Sequence, residues 1–553
     1  MPRNTITNIV AVSLLTFVGL VSFFSVKDDS LTMDELAHLP AGYSYLTQKD
    51  MRLNPEHPPL IKDLAAIPLL FIKDINFPSD INSWKEDING QWDFGREFLY
   101  NSGNPADKII FAGRIPMILL LVFLGFFIFK WAKELFGNKA SLLALFFFSF
   151  SPAFLAHGRL VTTDVGAALG ITLATYYFLK SLQFPALKNI IIAGLTFGLA
   201  LLLKFSTILL IPFFGILLVV WIVKKRRFTF FVLRFALIMA IGLLLIWPVY
   251  LYHIWNYPAE KQISDTQNYI QNTADILKQP IIFMAENPVL RPYAQYFAGL
   301  SMIFQRVAGG NTTYFMGEIN NQAWKEYFPI VYAIKEPLAF FISGLFALFY
   351  GLRRIRKITF PIFTFLLFIA IYWLVSIKGN LNIGVRHLLP VFPFTIILVS
   401  ATAANLLKNP YLKIKYALFG GLIVWQIISV ISVYPSFLAY FNELAGGPNG
   451  GKNYVVDSNL DWGQDLKRLA RWVEENKIEN IYIDYFGGGG LNYYFKNKYS
   501  PWWGQKNTEE LPNGSYLAVS ASFLQGGGDF YNWLKNYQPV AIIGHSIFVY
   551  YIN

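Results

Sequence analysis

The sequence contains no cysteine and few charged residues. Without cysteine the chain has no disulfide, no thiol nucleophile and no thiolate metal site. Charged residues make up 14% of its 553 residues, whereas 55% are hydrophobic and 17% are aromatic. This composition is far more apolar than that of an ordinary soluble protein. We therefore interpret the chain as a membrane protein with many spans.

Acidic residues are also outnumbered by basic ones, which gives a formal net charge of +12. A basic balance can indicate nucleic-acid binding, but these Lys and Arg residues fall in short clusters between apolar runs. Such clusters are typical of loops retained on the cytoplasmic side of a membrane. We expect membrane lipids as partners, and no nucleic acid. The first apolar run, residues 6–26, is longer than a signal-peptide core and precedes many others, so we interpret it as a retained helix.

Hydropathy predicts about eleven membrane spans. They cover residues 6–26, 109–129, 140–156, 163–179, 189–203, 205–223, 230–252, 337–352, 359–377, 387–406 and 415–434. With the N-terminus in the cytoplasm, the inner side receives Arg3, Lys130, Lys133, Lys139, Lys180, Lys188, Lys224, Lys225, Arg226, Arg227, Arg353, Arg354, Arg356, Lys357, Lys408, Lys413 and Lys415. Only one acid, Glu134, shares those loops. This asymmetry predicts the orientation of the chain.

The predicted orientation leaves two long external loops, residues 27–108 and 253–336, and an external C-terminal region. The first loop is predicted to include short helices along the membrane, such as Leu60 to Phe71. After about Ala439 the composition changes, which predicts a transmembrane module over 1–438 and a small α/β domain over 439–553. Its predicted elements are strands at 454–456, 481–483 and 516–520, helices at 462–475 and near 530–536, and an apolar segment at 540–544.

Three acids lie on the predicted external side, close to span ends. Asp34 and Glu35 follow the first span, and Asp164 begins the fourth. A helix N-cap is an alternative interpretation, since Thr32 precedes the first pair and acids near a helix start complement its dipole. Asp34 shares the external face with Asp164 and Glu56, however, and one cap does not require three acids. A carboxylate can deprotonate an incoming hydroxyl, so these acids are candidate catalytic groups.

The segment Glu56-His57-Pro58-Pro59 presents a carboxylate and an imidazole on a rigid backbone. Glu56, with His57 or with the external His253, is a candidate ligand pair for a divalent metal. His57 could instead hold a phosphate in its protonated form. A solvated turn at the membrane interface is a third interpretation, and the sequence leaves all three open.

Several cations also lie near external span ends. Alone, each one could extend its side chain toward the lipid headgroups. Together with the acids they would fit a site that handles a lipid-linked phosphate, because Arg and Lys bind phosphate through charge-assisted hydrogen bonds. The candidate phosphate-binding residues are Arg114, Lys204, Lys335, Arg386, His387 and His57.

These motifs resemble those of the phospholipid-carrier-dependent glycosyltransferases of the GT-C class, relatives of the protein O-mannosyltransferases and the lipid A aminoarabinose transferase. The resemblance covers most of the chain. It rests on Met33-Asp34-Glu35, Asn54 to Leu60, Gly113 to Pro116, His157 to Asp164, Tyr327-Phe328-Pro329, Lys335-Glu336-Pro337 and Gly384 to Pro390. The stretches Phe441 to Gly447 and Asp457 to Leu466 are similar to a bacterial branch of the family, which implies a prokaryotic cytoplasmic membrane.

The resemblance implies a GT-C fold, a polyprenyl-phosphate sugar donor, an external active site and inversion at the anomeric carbon. It also implies that Asp34 is the catalytic base, that Asp164 is a second essential carboxylate, and that Glu56 matches a position associated with a metal. The aminoarabinose branch has lysine at the next position, where this chain has His57. The implied acceptor is a protein, a lipid or a glycan.

The predicted function is therefore transfer of a sugar from a polyprenyl-phosphate donor to an acceptor hydroxyl on the outer face of the membrane. The alternative is a transporter of a lipid-linked or anionic substrate. Carriers usually place charges near the bilayer midplane within paired repeats. Here the charges lie at span ends and the sequence has no visible repeat, which favours the enzyme.

Overall fold

The computed structural model describes residues 3–353, 358–407 and 413–552, and most of them are helical. Long apolar runs form these helices because a helix satisfies its own backbone hydrogen bonds in a medium without water. The first twelve helices are α1 (Arg3–Ser25), α2 (Met33–Gln48), α3 (Leu60–Ala66), α4 (Asn82–Lys85), α5 (Gln91–Arg96), α6 (Ala106–Phe136), α7 (Asn138–Ser149), α8 (Pro152–His157), α9 (Asp164–Gln183), α10 (Leu187–Leu203), α11 (Leu210–Lys225) and α12 (Phe228–His253).

The elements that follow enclose a small hairpin. They are α13 (Ala259–Tyr269), α14 (Asp275–Glu286), α15 (Arg291–Gly309), β1 (Thr313–Phe315), β2 (Glu318–Asn320), α16 (Tyr327–Lys335), α17 (Leu338–Leu352), α18 (Phe360–Lys378), α19 (Phe392–Leu406) and α20 (Lys413–Ile431). Strands β1 and β2 pair antiparallel. The longer 3-10 segments of the chain are Ile67–Phe71, Phe205–Leu209, Val385–Val391 and Gly528–Asn536. Helix α3 and the 3-10 turn after it confirm the short helices predicted over Leu60 to Phe71.

Eight helical stretches of the described chain are long and apolar enough to cross a membrane. They are Asn4–Ser25, Ala106–Phe136, Asp164–Gln183, Phe205–Lys225, Phe228–His253, Phe360–Lys378, Val385–Leu406 and Ile414–Ile431. The pair α16 and α17, bent by 118°, makes a ninth if it is one span. Helices α7 and α10 fall on the two remaining predicted spans but are shorter. The chain is an α-helical polytopic membrane protein, and the count of eleven spans stays a prediction.

The predicted orientation rests partly on basic residues that lie outside the described part of the chain. These are Arg354, Arg356, Lys357 and Lys408, together with the side chains of Arg3 and Lys413.

A five-stranded sheet lies in the C-terminal region, in the order β4-β3-β5-β7-β6. The elements are α21 (Gly447–Gly450), α22 (Leu466–Glu475), β3 (Ile481–Asp484), α23 (Leu491–Phe495), β4 (Tyr499–Pro501), β5 (Ser515–Ser520), α24 (Ala521–Gly526), β6 (Ala541–Ile543) and β7 (Ile547–Ile552). Strand β3 pairs parallel with β4 and β5, whereas β7 pairs antiparallel with β5 and β6. Alternate residues of β3 are buried, as expected for a strand packed on one face.

The structure confirms the predicted strands near 481–483 and 516–520 and corrects three other predictions. Residues 454–456 form no strand, because the Tyr454 and Val455 N–H groups donate to Gly451 in a turn. The predicted helix over 462–475 begins only at Leu466. The apolar segment at 540–544 forms only the short β6, and the longer β7 was not predicted. The boundary between 1–438 and 439–553 stays a prediction.

Buried ion pairs join the C-terminal region to the helices. The Asp29 carboxylate, just beyond α1, lies 3.0 Å from the Arg159 guanidinium and 2.5 Å from that of Arg468 on α22. Asp29 and Arg159 are each 1% exposed. Since a charge is stable in such a place only when it is paired, this cluster fixes α22 against the ends of α1 and α8.

Candidate active site

A cavity of about 420 Å³ lies where the ends of distant elements meet. Its walls come from α2, the segment before α3, the start of α9, α15, α18, the 3-10 turn at 385–391 and the C-terminal region. The polar and aromatic side chains that line it include Asp34, His38, Asn54, Glu56, His57, Trp92, Asp164, Lys204, Arg306, Tyr372, Arg386, His387, Asp457 and Trp462.

Helix α2 is held at its start from two sides. The Glu35 carboxylate accepts hydrogen bonds from the Thr32 N–H and hydroxyl, both at 2.9 Å, in a capping box. From the other side, the Met33 N–H donates to Trp462 at 3.0 Å and the Ser30 N–H donates to Gln464 at 2.8 Å. The C-terminal region thus fixes the segment that carries Asp34 into the cavity.

Carboxylates and cations alternate across the cavity wall. The Arg386 guanidinium lies 2.7 Å from the Asp34 carboxylate and 3.5 Å from that of Asp164. The Lys204 ammonium lies 2.5 Å from the other oxygen of Asp164. Arg386 also stacks on Trp462, with 4.2 Å between the guanidinium carbon and the ring centroid. The structure therefore brings together two predicted catalytic acids, Asp34 and Asp164. It places beside them two predicted phosphate-binding cations, Lys204 and Arg386.

The environment of Asp34 favours its ionised form. Burial alone would raise the pKa of Asp34, but the positive charge of Arg386, the nearby His38 imidazole and the hydrogen bond from Arg386 outweigh it, so the pKa is lowered. Asp34 is consequently a carboxylate at neutral pH, and its proton affinity is lower than that of a free aspartate.

Three imidazoles also line the cavity. His38 and His57 meet edge to face, with ring centroids 5.2 Å apart. Burial lowers the pKa of both His38 and His57, so both rings are neutral at neutral pH. His387 stacks on Phe328. The neutral imidazole of His57 can donate a hydrogen bond to a phosphate but adds no positive charge.

Glu35 does not line the cavity, although it was predicted as a catalytic group beside Asp34. Its carboxylate accepts two hydrogen bonds from Arg114, at 2.8 and 2.6 Å, and a third from the Val161 N–H at 3.0 Å. Glu35 is 0% exposed and Arg114 1%. The alternative interpretation of Glu35 as a capping residue describes this geometry.

Arg114 and Lys335, two of the predicted phosphate-binding cations, also lie away from the cavity. Arg114 donates to Glu35 and to the backbone carbonyls of Asp29 and Ser30. The Lys335 ammonium donates to the carbonyls of Leu438 at 2.8 Å and Asn459 at 2.6 Å, and it lies over the Phe441 ring. Because backbone oxygens already occupy their donors, these cations stabilise the fold at their positions.

Of the predicted metal ligands, Glu56 and His57 line the cavity and His253 does not. Glu56 lines the cavity and accepts a hydrogen bond from Gln91 at 2.9 Å. His253 instead pairs with Asp63, 3.0 Å away. Among the described residues, no group of three or more His, Asp or Glu side chains is arranged to hold a metal ion. The divalent metal at Glu56 therefore stays a prediction, with His57 beside Glu56 in the cavity lining.

Sequence reasoning missed His38, Asp457, Trp462 and Arg306 in the cavity wall. His38 could have been found, since it lies four residues after Asp34 and therefore on the same helical face. Asp457 reaches the cavity from a turn in which its own φ is +56°. Burial raises the pKa of Asp457 to about 6. No local pattern links this distant residue to Asp34.

Comparisons with known proteins bear on this arrangement. The family model for dolichyl-phosphate-mannose-protein mannosyltransferase matches residues 106–252, less than half of the chain. No curated protein matches the chain in sequence.

Three solved structures are similar to this chain at low sequence identity. ArnT from Cupriavidus metallidurans bound to undecaprenyl phosphate is 13% identical, covers 98% of this chain and 97% of its own, and has a TM-score of 0.47. The oligosaccharyltransferase of Archaeoglobus fulgidus in the apo form is 12% identical, and the match covers 96% of this chain and 72% of the oligosaccharyltransferase, with a TM-score of 0.49. A chain of the S. cerevisiae protein O-mannosyltransferase Pmt1-Pmt2 complex bound to the sugar donor is 16% identical. That match covers 45% of this chain and 34% of the mannosyltransferase chain, with a TM-score of 0.35.

The matched segment 106–252 includes α6, α9 and α10 and the acid Asp164. It thus covers one wall of the cavity and agrees with the resemblance that the motifs predict. Over residues 106–252 the chain is similar to the dolichyl-phosphate-mannose-protein mannosyltransferase family.

Proposed function

We propose that this chain transfers a sugar from a polyprenyl-phosphate donor to an acceptor hydroxyl, with inversion at the anomeric carbon. The observation that carries the proposal is the alternating row of Lys204, Asp164, Arg386 and Asp34 in one cavity wall. The cations are suited to the donor phosphate, and Asp34 lies at the end of the row where an acceptor would approach.

The leaving group of such a reaction is a phosphate, which gains negative charge as the bond between sugar and phosphate breaks. Preorganised cations that face this charge lower the barrier, because they need not reorganise during the reaction. Arg386 and Lys204 have this position, and Arg306 adds a third cation to the lining. The carboxylate of Asp164 holds the first two in place.

The lipid tail of the donor would lie in the bilayer beside the cavity. Helices α15 and α18 support this arrangement, since α18 is a candidate span and residues of both helices line the cavity. The clustered basic residues of the sequence support a reaction on the outer face. The acceptor hydroxyl belongs to a protein, a lipid or a glycan.

The test is a turnover assay on protein purified with its native lipids. Mass spectrometry of those lipids identifies the co-purifying polyprenyl-phosphate sugar, and release of polyprenyl phosphate from that donor is then followed. We expect Asp164→Asn to reduce release at least about 100-fold. Glu134→Gln is the matched control, because Glu134 pairs with Lys130 far from the cavity. Wild-type turnover by Asp164→Asn, or no release from any polyprenyl-phosphate sugar, would refute the proposal.

A further inference from the structure

We propose that His38 is the proton acceptor of the reaction, with its ring Nε2 taking the proton of the acceptor hydroxyl. The inference rests on the proposed transferase function and deepens it. The resemblance implies this role for Asp34, whereas the geometry of the cavity points to the imidazole one helical turn away.

The position of His38 meets the first requirement of a proton acceptor, which is access to the substrate. His38 lies on α2 four residues after Asp34, and both side chains line the cavity. His38 is 2% exposed overall. It therefore meets a group bound in the cavity while it is otherwise shielded from bulk water.

The backbone fixes which ring nitrogen carries the hydrogen. The Nδ1 of His38 lies 2.8 Å from the Val161 carbonyl oxygen. A carbonyl oxygen only accepts hydrogen bonds, so Nδ1 must donate. A neutral imidazole carries one N–H, and its Nε2 is therefore an unprotonated acceptor.

The backbone of Val161 is itself held in place. Its N–H donates to Glu35 at 3.0 Å while its carbonyl accepts from His38. Glu35 and His38 lie three residues apart on α2 and so hold both backbone polar groups of one residue in the segment that leads to Asp164. This arrangement gives the imidazole a fixed ring orientation, as a proton acceptor requires.

The carboxylates of the cavity are weaker candidates because cations already engage them. Arg386 lies 2.7 Å from Asp34, and Asp164 lies between Lys204 and Arg386. An ion-paired carboxylate has a reduced affinity for a proton. Asp34 instead suits a supporting role, because its negative charge stabilises the positive charge that develops on His38.

The other groups that act on His38 are Lys62 from α3 and Glu56 and His57 from the segment before it. Lys62 donates to the Tyr45 hydroxyl and to the carbonyls of Asn54 and His57. Its ammonium is therefore turned to the backbone. His57 meets the His38 ring edge to face. We assign proton acceptance to His38 because the bond to Val161 fixes the tautomer of His38.

The step balances as a single displacement. The acceptor oxygen forms a bond to the anomeric carbon, and the bond between that carbon and the phosphate oxygen breaks, with the electron pair leaving on polyprenyl phosphate. The hydroxyl proton passes to His38 Nε2, which gives an imidazolium beside Asp34. The imidazolium then releases the proton to water before the next turnover.

Three variants separate proton transfer from structural support. His38→Asn places an amide N–H near the position of Nδ1, so the bond to Val161 is retained while the base is removed. His38→Gln places its amide near Nε2 and loses that bond. His38→Gly leaves a space that free imidazole can fill. Wild type and each variant are assayed for kcat, KM for the donor and thermal stability.

We expect His38→Asn to fold like wild type, to keep the KM for the donor and to lose kcat about 100-fold or more. Free imidazole added to His38→Gly should raise the kcat of this variant at least tenfold. A kcat of His38→Asn within a few fold of wild type would overturn the inference and leave His38 only its bond to Val161. Failure of imidazole to rescue a folded His38→Gly would also count against it.

The same assay distinguishes the two proposals. A wild-type protein that releases no polyprenyl phosphate from any polyprenyl-phosphate sugar refutes the transferase proposal itself. An active wild type together with an equally active His38→Asn refutes only the role of His38.

Discussion

Asp34 and Glu35 are neighbours in the sequence, yet they lie in two different electrostatic environments. The Asp34 side chain is 24% exposed and borders the cavity, with one oxygen bound to Arg386. The Glu35 side chain is 0% exposed, and its two oxygens accept bonds from Arg114, Thr32 and Val161. Residue type and sequence position therefore do not determine whether an acid faces the cavity or stabilises the fold. The hydrogen-bond donors around each carboxylate determine which of the two roles it has.

The cations divide in the same way. The closest contacts of Lys204 and Arg386 are to carboxylates of the cavity wall, so a phosphate can share these cations. Arg114 and Lys335 donate to backbone carbonyls inside the protein. The first pair is available to a substrate, and the second pair stabilises the fold.

The largest effect on stability is expected at the buried pair of Glu35 and Arg114. Glu35→Gln keeps the shape of the side chain but leaves the Arg114 charge without its partner. Breaking a buried pair in this way costs roughly 3–5 kcal/mol. We expect a clear fall in the melting temperature of the purified protein, measured by intrinsic fluorescence in detergent.

The double variant Glu35→Gln/Arg114→Met provides the control for that prediction. Removal of the unpaired charge should recover part of the lost stability, since a neutral pair needs no counter-charge. If Glu35→Gln alone melts within one degree of wild type, the distinction between the two environments is wrong.

A smaller effect is expected when the two kinds of cation are compared. Lys204→Met removes a charged donor from the cavity wall and should weaken donor binding by about 10- to 100-fold. Lys335→Met should leave donor binding unchanged and destabilise the fold by roughly 1–3 kcal/mol, because the carbonyls of Leu438 and Asn459 lose their donor. Donor affinity and melting temperature are measured for both variants. Weaker donor binding by Lys335→Met with no loss of stability would reverse the assignment.

A pH-dependent effect is expected at Asp461, a buried acid that forms no ion pair with any residue in the described part of the chain. It accepts a hydrogen bond from the Ser522 N–H at 2.8 Å and is 0% exposed. Burial raises the pKa of Asp461 to about 8. Because the folded pKa lies above the ordinary value, the stability linked to this group is complete below about pH 4 and is lost as the pH rises toward 8.

The measurement for Asp461 is the melting temperature at pH 5, 6.5 and 8.5. Asp461→Asn stays neutral at every pH. From pH 5 to pH 8.5 the free energy of unfolding of wild type should therefore fall by roughly 1–3 kcal/mol more than that of Asp461→Asn. Parallel pH profiles of the two proteins would show that Asp461 does not carry the change.

The sequence predicts the helices well because the long apolar runs have no other stable state in a bilayer. The C-terminal elements are less predictable. The run of residues 454–456 is β-branched and aromatic, but a turn closed by Gly451 takes its backbone donors. The residues of β7 have the same character and do form a strand, since β5 and β6 pair with both of its edges.

The site is predictable only in part, for a related reason. Asp34, Asp164, Lys204 and Arg386 lie near span ends, and span ends at one level of the membrane can meet. Whether a given cation faces the cavity or a backbone carbonyl depends on side-chain packing, which local sequence does not specify. Asp457 and Trp462 reach the cavity from a region more than 400 residues after Asp34, and only the folded chain brings them there.

The most direct test of the account is Asp34→Asn, with Glu35→Gln beside it. Both variants are purified and compared with wild type for kcat of sugar transfer and for melting temperature. We predict that Asp34→Asn lowers the kcat of sugar transfer about 100-fold or more. Its free energy of unfolding should stay within about 1 kcal/mol of the wild-type value, because the Asp34 side chain is partly exposed. Full transfer by Asp34→Asn would contradict the assignment of this cavity as the site of sugar transfer.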